Sequence, residues 1–321
     1  MKEPSFWKEK NIISFLMYPL SLLYYFGYKI RTIINKKNAY KSTIPVICVG
    51  NLTAGGNGKT PTCVEIAKIL KKQGKKFCFL SKGYKGNFDG VLKIDNTNNK
   101  SEITGDEPLI LYNYGDVFLS KSRVDGLKYI NNNFEYDYII MDDGLQNPTF
   151  IKDKIIVLVD GNFGFGNNFI IPAGPLRDKL DNVYKNIDLL IIVGEDKHNI
   201  TELCKKYNIN YTFGNIKPLT SNNMLQDEYI AFCGIGRPEK FKKTLEESNI
   251  KVKDFISFGD HYCYTDEDIE KLKVKYKIKL ITTEKDWVKL SQQHKNEVEY
   301  LRIFIDLDEE KLKQVLQCDI N

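Results

Sequence analysis

Residues 45–61 read PVICVGNLTAGGNGKTP, an apolar run followed by a glycine-rich loop and the start of a helical pattern. Glycine has no Cβ atom, so a loop with several glycines can wrap its backbone N–H groups around an anion. The helix that follows adds free N–H groups and the positive end of its dipole. The stretch is therefore predicted to bind the phosphates of a nucleotide, through Thr53, Ala54, Gly55, Gly56, Asn57, Gly58, Lys59 and Thr60.

The two residues that end this loop have predicted functions of their own. Lys59 is expected to reach the β- and γ-phosphates, and the Thr60 hydroxyl is expected to ligate Mg²⁺. Thr53 stands where the strict phosphate-loop pattern has glycine, so the loop departs from that pattern at one position. A glycine-rich turn that binds nothing is the alternative, and the strand–loop–helix context disfavours it.

Composition sets wider limits on the protein. Its 321 residues can form two domains, and 42% hydrophobic and 28% charged residues are typical of a globular protein. A net charge of +5 is too small to indicate nucleic acid, which is not predicted as a partner. The seven cysteines include no C-x-x-C pair, so they are predicted to be reduced, buried thiols and not zinc ligands.

The N-terminus, residues 1–40, is predicted to be a membrane-associated helix. Residues 11–28 contain no charged side chain and are bordered by lysine and arginine. This run is short for a bilayer span, and Pro19 weakens that interpretation further. Its aromatic residues and flanking bases favour a helix that lies in the membrane interface. A helix buried in the protein core is the alternative left open.

Strand and helix patterns alternate from residue 45 to 195, which predicts a parallel sheet with helices on both faces. Residues 138–144 end an apolar strand with Asp142 and Asp143, at the edge where open parallel sheets bind ligands. Beside a Gly-Lys-Thr loop, Asp142 is expected to hold Mg²⁺. The polar residues 85–104 are predicted to form a long loop or a hairpin excursion.

A second alternating run begins at residue 229 and predicts a smaller α/β unit. The polar residues before it read as a linker. The predicted division is residues 1–40 for the N-terminal helix, 41–206 for the phosphate-loop domain, 207–227 for the linker and 228–321 for the smaller domain.

Further short motifs follow the phosphate loop in a fixed order: SKGY at 81–84, GDEP at 105–108, DDGLQ at 142–146, PAGPLR at 172–177, DH at 260–261 and TEKD at 283–286. The complete set resembles the tetraacyldisaccharide 4'-kinase family, the lipid A 4'-kinases of Gram-negative bacteria. The resemblance covers nearly the whole chain, and several of its motifs are specific to the family. The phosphate loop alone is not.

This resemblance implies an α/β fold of two α/β/α domains, a P-loop NTPase-like N-terminal domain and a smaller C-terminal one, joined by a β-linker and preceded by a membrane-associated helix. It implies transfer of phosphate from ATP, with Mg²⁺, to the 4'-hydroxyl of tetraacyldisaccharide 1-phosphate, which gives lipid IVA. The implied location is the cytoplasmic face of the bacterial inner membrane, where the protein is bound peripherally.

The resemblance also implies functions for particular side chains. Asp106 corresponds to the general base, paired with His261, and Glu107 joins Asp142 and Asp143 on the metal side. The implied contacts to substrate or phosphate are Lys82, Arg123, Gln146 and Arg177. The chain departs from the usual family pattern at Lys82, Asn147 and Tyr262.

Alternatives to some of these functions remain open. Asp106 could cap the helix that follows it, and residues 283–286 are interpreted as a capped helix start. For the whole protein, the alternative is a membrane-peripheral ATPase or GTPase switch without a lipid substrate. The absence of an Asn-Lys-x-Asp tetrapeptide disfavours a GTPase. A nucleotide-binding scaffold would leave Asp106 and His261 unexplained.

Overall fold

The computed structural model describes residues 4–55 and 58–317. Within these residues the strands form a single twelve-stranded sheet. The strands are β1 (Val46–Asn51), β2 (Phe77–Ser81), β3 (Val91–Lys93), β4 (Asp116–Ser120), β5 (Tyr138–Asp142), β6 (Lys154–Asp160), β7 (Leu189–Val193), β8 (Tyr211–Leu219), β9 (Glu228–Cys233), β10 (Lys251–Ser257), β11 (Lys279–Thr283) and β12 (Val298–Leu307).

Helices connect most of the strands, and two 3₁₀ turns lie at Ser5–Trp7 and Tyr184–Asn186. The α-helices are α1 (Ile12–Lys36), α2 (Lys59–Lys72), α3 (Ser101–Thr104), α4 (Asp106–Tyr112), α5 (Arg123–Asn133), α6 (Leu180–Val183), α7 (Ile200–Lys206), α8 (Asn222–Gln226), α9 (Pro238–Glu247), α10 (Asp266–Tyr276), α11 (Glu284–Trp287), α12 (Gln292–Lys295) and α13 (Glu309–Gln317).

The sheet consists of two parallel sets of strands, in the overall order β10-β9-β11-β12-β8-β7-β6-β1-β5-β2-β4-β3. The strands from β8 to β4 run parallel, and β3 adds an antiparallel edge. The other set, β12, β11, β9 and β10, is also parallel. The two sets join where β8 pairs with β12 in antiparallel fashion. The predicted α/β fold is confirmed, and its sheet is large and mostly parallel.

The predicted linker, residues 207–227, contains β8 and α8. The first residues of β8 pair with β7, and residues 214–219 pair with β12. Hydrogen bonding in the sheet is therefore continuous across the predicted boundary. The division into separate domains at these positions stays a prediction.

The central parallel strands are apolar because helices or loops cover both of their faces. All six residues of β1 are buried, and β5 begins at Tyr138, where the sequence pattern predicts. The expectation of a long loop over residues 85–104 was wrong in part, since that segment contains β3 and α3. Although this segment is mainly polar, it contains two apolar side chains that are buried in the core, Phe88 and Ile94.

Helix α1 has its polar and apolar residues in the reverse of the usual arrangement. Its buried residues are Ser14 and Ser21. The Ser21 hydroxyl donates to Ile170 O at 2.6 Å and accepts from Ala173 N at 2.9 Å. The large apolar side chains point outward, and the exposed ones include Ile12, Phe15, Leu16, Leu20, Leu22, Leu23, Phe26, Ile33 and Ile34.

This arrangement does not fit the alternative of a helix buried in the core. Among the helices in residues 4–55 and 58–317, we found none with the length and apolar character that crossing a bilayer requires. Helix α1 spans 25 residues inside the predicted range of 1–40 and carries an exposed apolar surface.

The cysteines follow the prediction with one exception. Cys48, Cys63, Cys78, Cys204 and Cys233 are buried thiols, as expected. Cys263 is exposed, because it lies in the loop between β10 and α10 and not in a strand or helix. The prediction for Cys318 falls outside the described residues.

Candidate active site

The phosphate loop connects the end of β1 to the start of α2. Lys59 and Thr60 are the first two residues of α2, as the Gly-Lys-Thr pattern predicts. Gly58 caps this helix with a φ of 85°, a backbone conformation that glycine adopts without strain. Two residues of the predicted loop lie outside the described residues, Gly56 and Asn57.

A second segment, residues 170–177, supports the start of the loop. Ala54 N donates to Pro175 O at 2.8 Å, and Arg177 N donates to Leu52 O at 2.9 Å. Between them, Thr53 forms an isolated β-bridge with Leu176. This pairing explains why threonine can stand where the usual pattern has glycine, since an extended residue suits the bridge.

Asp142 and Asp143 lie at the carboxyl end of β5, next to β1. Asp142 is 2% exposed, and its Oδ1 atom has no hydrogen-bond partner among the described residues. Burial, together with repulsion from Glu107, raises the pKa of Asp142 to about 7. Asp143 is also buried, yet the positive charges of Lys59 and Arg177 outweigh that effect and hold its pKa below the usual range.

Three side chains form a network around Asp143. Its Oδ2 atom lies 3.9 Å from Lys59 Nζ, and its Oδ1 atom accepts from Arg177 at 2.9 Å. Arg177 also donates to Gln146 Oε1 at 3.3 Å. The Gln146 amide in turn donates to Asn51 O at 2.8 Å, at the end of β1. The network brings these predicted site residues to one edge of the sheet.

Two other predicted contact residues have different surroundings. Arg123 is 5% exposed, and its guanidinium donates to Ser120 O at 3.2 Å and Asp142 O at 3.0 Å. These bonds hold the backbone at the end of β5. Burial lowers the pKa of Arg123. Lys82 is exposed in the turn after β2. A contact of either residue with substrate or phosphate stays a prediction.

Asp106 meets His261, which lies 155 residues further along the chain. Asp106 Oδ2 and His261 Nδ1 are 2.8 Å apart, and their side chains are 9% and 21% exposed. Asp106 is the first residue of α4, whereas Gly105 occupies the N-cap position and no side chain caps the helix. The capping alternative for Asp106 is therefore wrong.

Positive charges surround this pair. Burial alone would raise the pKa of Asp106, but the hydrogen bond from His261 and the charges of Lys289 and Lys285 lower it below the usual range. Glu107 lies 3.7 Å from Lys285 Nζ and close enough to Asp142 to raise its pKa. Glu107 is therefore near both Lys285, which acts on Asp106, and Asp142 of β5.

Residues 283–286 form the capped helix start that the sequence predicts. The Thr283 hydroxyl accepts from Asp286 N at 3.0 Å at the start of α11. The interpretation missed that α11 packs against α4, so that Lys285 reaches Glu107. The sequence contained one signal for this contact. Residues 283–286 lie at the end of a strand of a parallel set, and ligands bind at the carboxyl ends of parallel strands.

The acids near the phosphate loop fit a magnesium ion. Mg²⁺ prefers carboxylate and hydroxyl oxygens together with water and phosphate oxygens. The unpartnered Oδ1 atom of Asp142 is buried near the carboxylates of Glu107 and Asp143, an arrangement that a bound cation would explain. The side chains predicted to hold the ion are those of Thr60, Glu107, Asp142 and Asp143.

Comparisons with known proteins agree with this geometry. The model of the LpxK family, tetraacyldisaccharide-1-P 4'-kinase, matches residues 13–321. A tetraacyldisaccharide 4'-kinase of Paramagnetospirillum magneticum is 35% identical over 312 residues, which cover 96% of this chain and 95% of the relative. That of Rickettsia typhi is 38% identical over 294 residues, covering 90% of this chain and 89% of the relative.

The fold is also similar to that of a solved structure. A crystal structure of LpxK from Aquifex aeolicus in complex with ATP aligns with a TM-score of 0.79 at 28% identity. The alignment covers 95% of this chain and 98% of the Aquifex chain. Sequence and fold thus match the same proteins over almost their full length, and this chain belongs to the tetraacyldisaccharide-1-P 4'-kinase family.

Proposed function

We propose that this protein transfers the γ-phosphate of ATP to the 4'-hydroxyl of tetraacyldisaccharide 1-phosphate, giving lipid IVA. Family membership supports this reaction over a membrane-peripheral ATPase switch. The observation that carries the proposal is the Asp106–His261 hydrogen bond of 2.8 Å, near the acids beside the phosphate loop. A switch that only hydrolyses nucleotide has no evident need for a carboxylate held in this way.

The phosphate loop and its neighbours bind ATP in this proposal. Backbone N–H groups at the start of α2 hold the phosphates, and Lys59 neutralises charge on the β- and γ-phosphates. Thr60, Glu107, Asp142 and Asp143 provide the oxygen ligands or the water shell for Mg²⁺. When bound, the ion offsets the negative charge that develops on the transferred group.

Asp106 accepts the proton of the 4'-hydroxyl in this mechanism. The hydroxyl oxygen forms a bond to the γ-phosphorus, the bond to the bridging oxygen of ADP breaks, and the proton passes to the Asp106 carboxylate. His261 donates Nδ1–H to the other side of that carboxylate and so orients it. Lys82, Arg123, Gln146 and Arg177 are proposed to contact substrate or phosphates, and Arg177 is already held in position by Asp143.

Helix α1 is proposed to bind the cytoplasmic face of the bacterial inner membrane. Its exposed apolar side chains would enter the interface between headgroups and acyl chains. Exposed bases flank them and favour an anionic leaflet: Lys8, Lys10, Lys29 and Arg31. Since Ser21 on the same helix bonds to the segment that ends in Arg177, the membrane surface would lie next to the phosphate site.

The test is to incubate purified protein with ATP, Mg²⁺ and tetraacyldisaccharide 1-phosphate in mixed micelles, and to follow the lipid by mass spectrometry. We expect a product heavier by one phosphate, with stoichiometric ADP. A parallel reaction without lipid measures basal hydrolysis of ATP. Rapid hydrolysis with no change in the lipid would contradict the proposal and favour the ATPase switch.

A further inference from the structure

The second half of the chain contains an ion pair that the mechanism above does not use. Lys289 Nζ lies 2.7 Å from Asp286 Oδ1, and their side chains are 1% and 0% exposed. A pair this deep loses the hydration of both charges, and apolar residues of similar volume are often at least as stable. General stability is therefore a weak explanation for the Asp286–Lys289 pair.

Both members of the pair bond to backbone around the loop that carries His261. Asp286 Oδ2 accepts from Gly234 N at 3.0 Å, and Gly234 O accepts from His261 N at 2.9 Å. Lys289 Nζ donates to Tyr262 O at 3.0 Å. The pair thus secures the chain directly after His261 and, through Gly234, at His261 itself.

The loop needs this support because its backbone is strained. His261 has a φ of 60°, in the left-handed region that costs energy for a residue with a Cβ atom. Gly234 lets the loop approach closely, since a Cβ atom there would lie 2.9 Å from Tyr262 Cβ and 3.1 Å from Gly259 O. Close packing on one side and the Lys289 ammonium on the other hold the loop in one conformation.

We propose that the Asp286–Lys289 pair positions the loop of His261 and so keeps the His261 ring within hydrogen-bonding distance of Asp106. His261 reaches Asp106 from the other half of the chain, so a small displacement of its loop would break the 2.8 Å contact. Misplacement of a catalytic group by about 1 Å can cost as much as 10²-fold in rate. The inference rests on the proposed function, because the distance between His261 and Asp106 matters only if Asp106 takes the hydroxyl proton.

The test removes both charges together, since Lys289→Met alone would leave the Asp286 carboxylate buried and unpaired. In Lys289→Met/Asp286→Asn an amide oxygen can still accept from Gly234 N, whereas Tyr262 O loses its donor. We expect this double variant to keep its KM for ATP and to lose about 10- to 100-fold in kcat, through misplacement of His261. If this variant does not fold, Lys289→Gln/Asp286→Asn should show the same loss of kcat, because a glutamine side chain at position 289 is too short to reach Tyr262 O.

A cycle with His261→Ala separates positioning from a loss of stability. In the His261→Ala background the double variant should lower kcat by less than about threefold, because the group that it positions is gone. Leu245→Ala is the matched control, since it truncates a buried side chain in the core under α9. Its effect on kcat should be the same in both backgrounds.

Histidine NMR gives a readout that does not depend on turnover. The chain has three histidines, His198, His261 and His294. With ¹⁵N-labelled histidine, the double variant should shift the ring signals of His261 alone, because Nδ1–H loses its carboxylate partner.

Three results would overturn the positioning function: unchanged His261 signals, a wild-type kcat, or an equal loss of kcat in both backgrounds. A normal kcat for His261→Ala by itself would instead contradict the proposed base pair. The two failures are therefore distinguishable.

Discussion

The phosphate side of the site, Lys59, Asp142, Asp143 and Arg177, is built differently from the proton-acceptor side, Asp106 and His261. Residues of the phosphate side extend from one set of parallel strands and the loops at its edge. Val49 of β1 and Asp142 of β5 are direct partners in the sheet, so hydrogen-bond register fixes their separation. The proton-acceptor side joins two sets of strands, which meet where β8 pairs with β12 and where helices pack between them.

The phosphate side is therefore the rigid part of the site, and the proton-acceptor side is the part that can be adjusted. The register of a central sheet cannot shift without breaking many hydrogen bonds at once. The contact between Asp106 and His261 depends instead on how α4 and α11 pack and on the loop after β10. Closure over bound substrates would therefore act on the proton-acceptor side.

The largest effect is expected at the phosphate side. Lys59→Ala should reduce kcat by about 10³-fold or more, because it removes the charge that stabilises the transferred phosphate. Lys68→Ala, on the same helix and paired with Glu65 one turn away, is the matched control and should stay near the wild-type rate. The measurement is steady-state lipid phosphorylation, with circular dichroism to verify folding. Near-normal turnover by folded Lys59→Ala would exclude the phosphate-loop assignment.

The proton-acceptor side should show a loss that is shared between its two members. Asp106→Asn and His261→Ala should each lower kcat by about 10²–10⁴-fold, the usual contribution of general acid–base help. ATP affinity should change little, because neither group is assigned to the phosphates. The double variant should be little worse than the worse single one. Fully additive losses would mean that the two residues act independently.

The same contrast explains what the sequence could predict. Gly58, Lys59 and Thr60 are adjacent in the chain, and Asp142 ends an apolar strand, so local patterns were sufficient for the phosphate side. The pairing of Asp106 with His261 came from the family resemblance, because no spacing rule connects residues 155 positions apart.

Other features lay beyond local patterns for the same reason. The β-bridge of Thr53 with Leu176 and the burial of Ser21, on a helix whose large apolar side chains point outward, depend on distant partners. The exposure of Cys263 depends on where a loop leaves the sheet. In each case the tertiary environment, which single-residue properties do not encode, decides the outcome.

A smaller effect is expected from the apolar surface of α1. Leu16→Gln, Leu23→Gln and Phe26→Gln alter exposed residues, so the fold should persist. Each should weaken binding to anionic vesicles by about 10- to 150-fold, since burial of such a side chain in the interface is worth roughly 1.5–3 kcal/mol. The KM for lipid should rise and that for ATP should not. Val274→Gln, at an exposed apolar residue of α10, is the control, and an equal response there would argue against α1 as the anchor.

The smallest expected effect is on the stability of the fold. Replacing Asp by Asn should stabilise the fold on the phosphate side, at Asp142, and destabilise it on the proton-acceptor side, at Asp106. Asp142 is buried with an unpartnered oxygen and a pKa raised to about 7, so without Mg²⁺ its charge destabilises the fold above that pH. Asp142→Asn should therefore raise the Tm of the metal-free protein at pH 8. Asp106 has a lowered pKa, so its charge stabilises the fold, and Asp106→Asn should lower the Tm.

The pH dependence separates these two charges further. The destabilisation caused by Asp142 decreases as the pH falls from 7 to about 4, the pKa of an aspartate in the unfolded chain. The stabilisation from the Asp106 charge persists until the pH falls below about 4. At pH 5 the benefit of Asp142→Asn should thus be smaller, and the loss from Asp106→Asn should remain. Changes of about 2–4 °C per kcal/mol are within reach of calorimetry. If Asp142→Asn lowered the Tm at pH 8 in the presence of a chelator, the buried acid would be a structural partner, and the argument that it waits for a cation would fail.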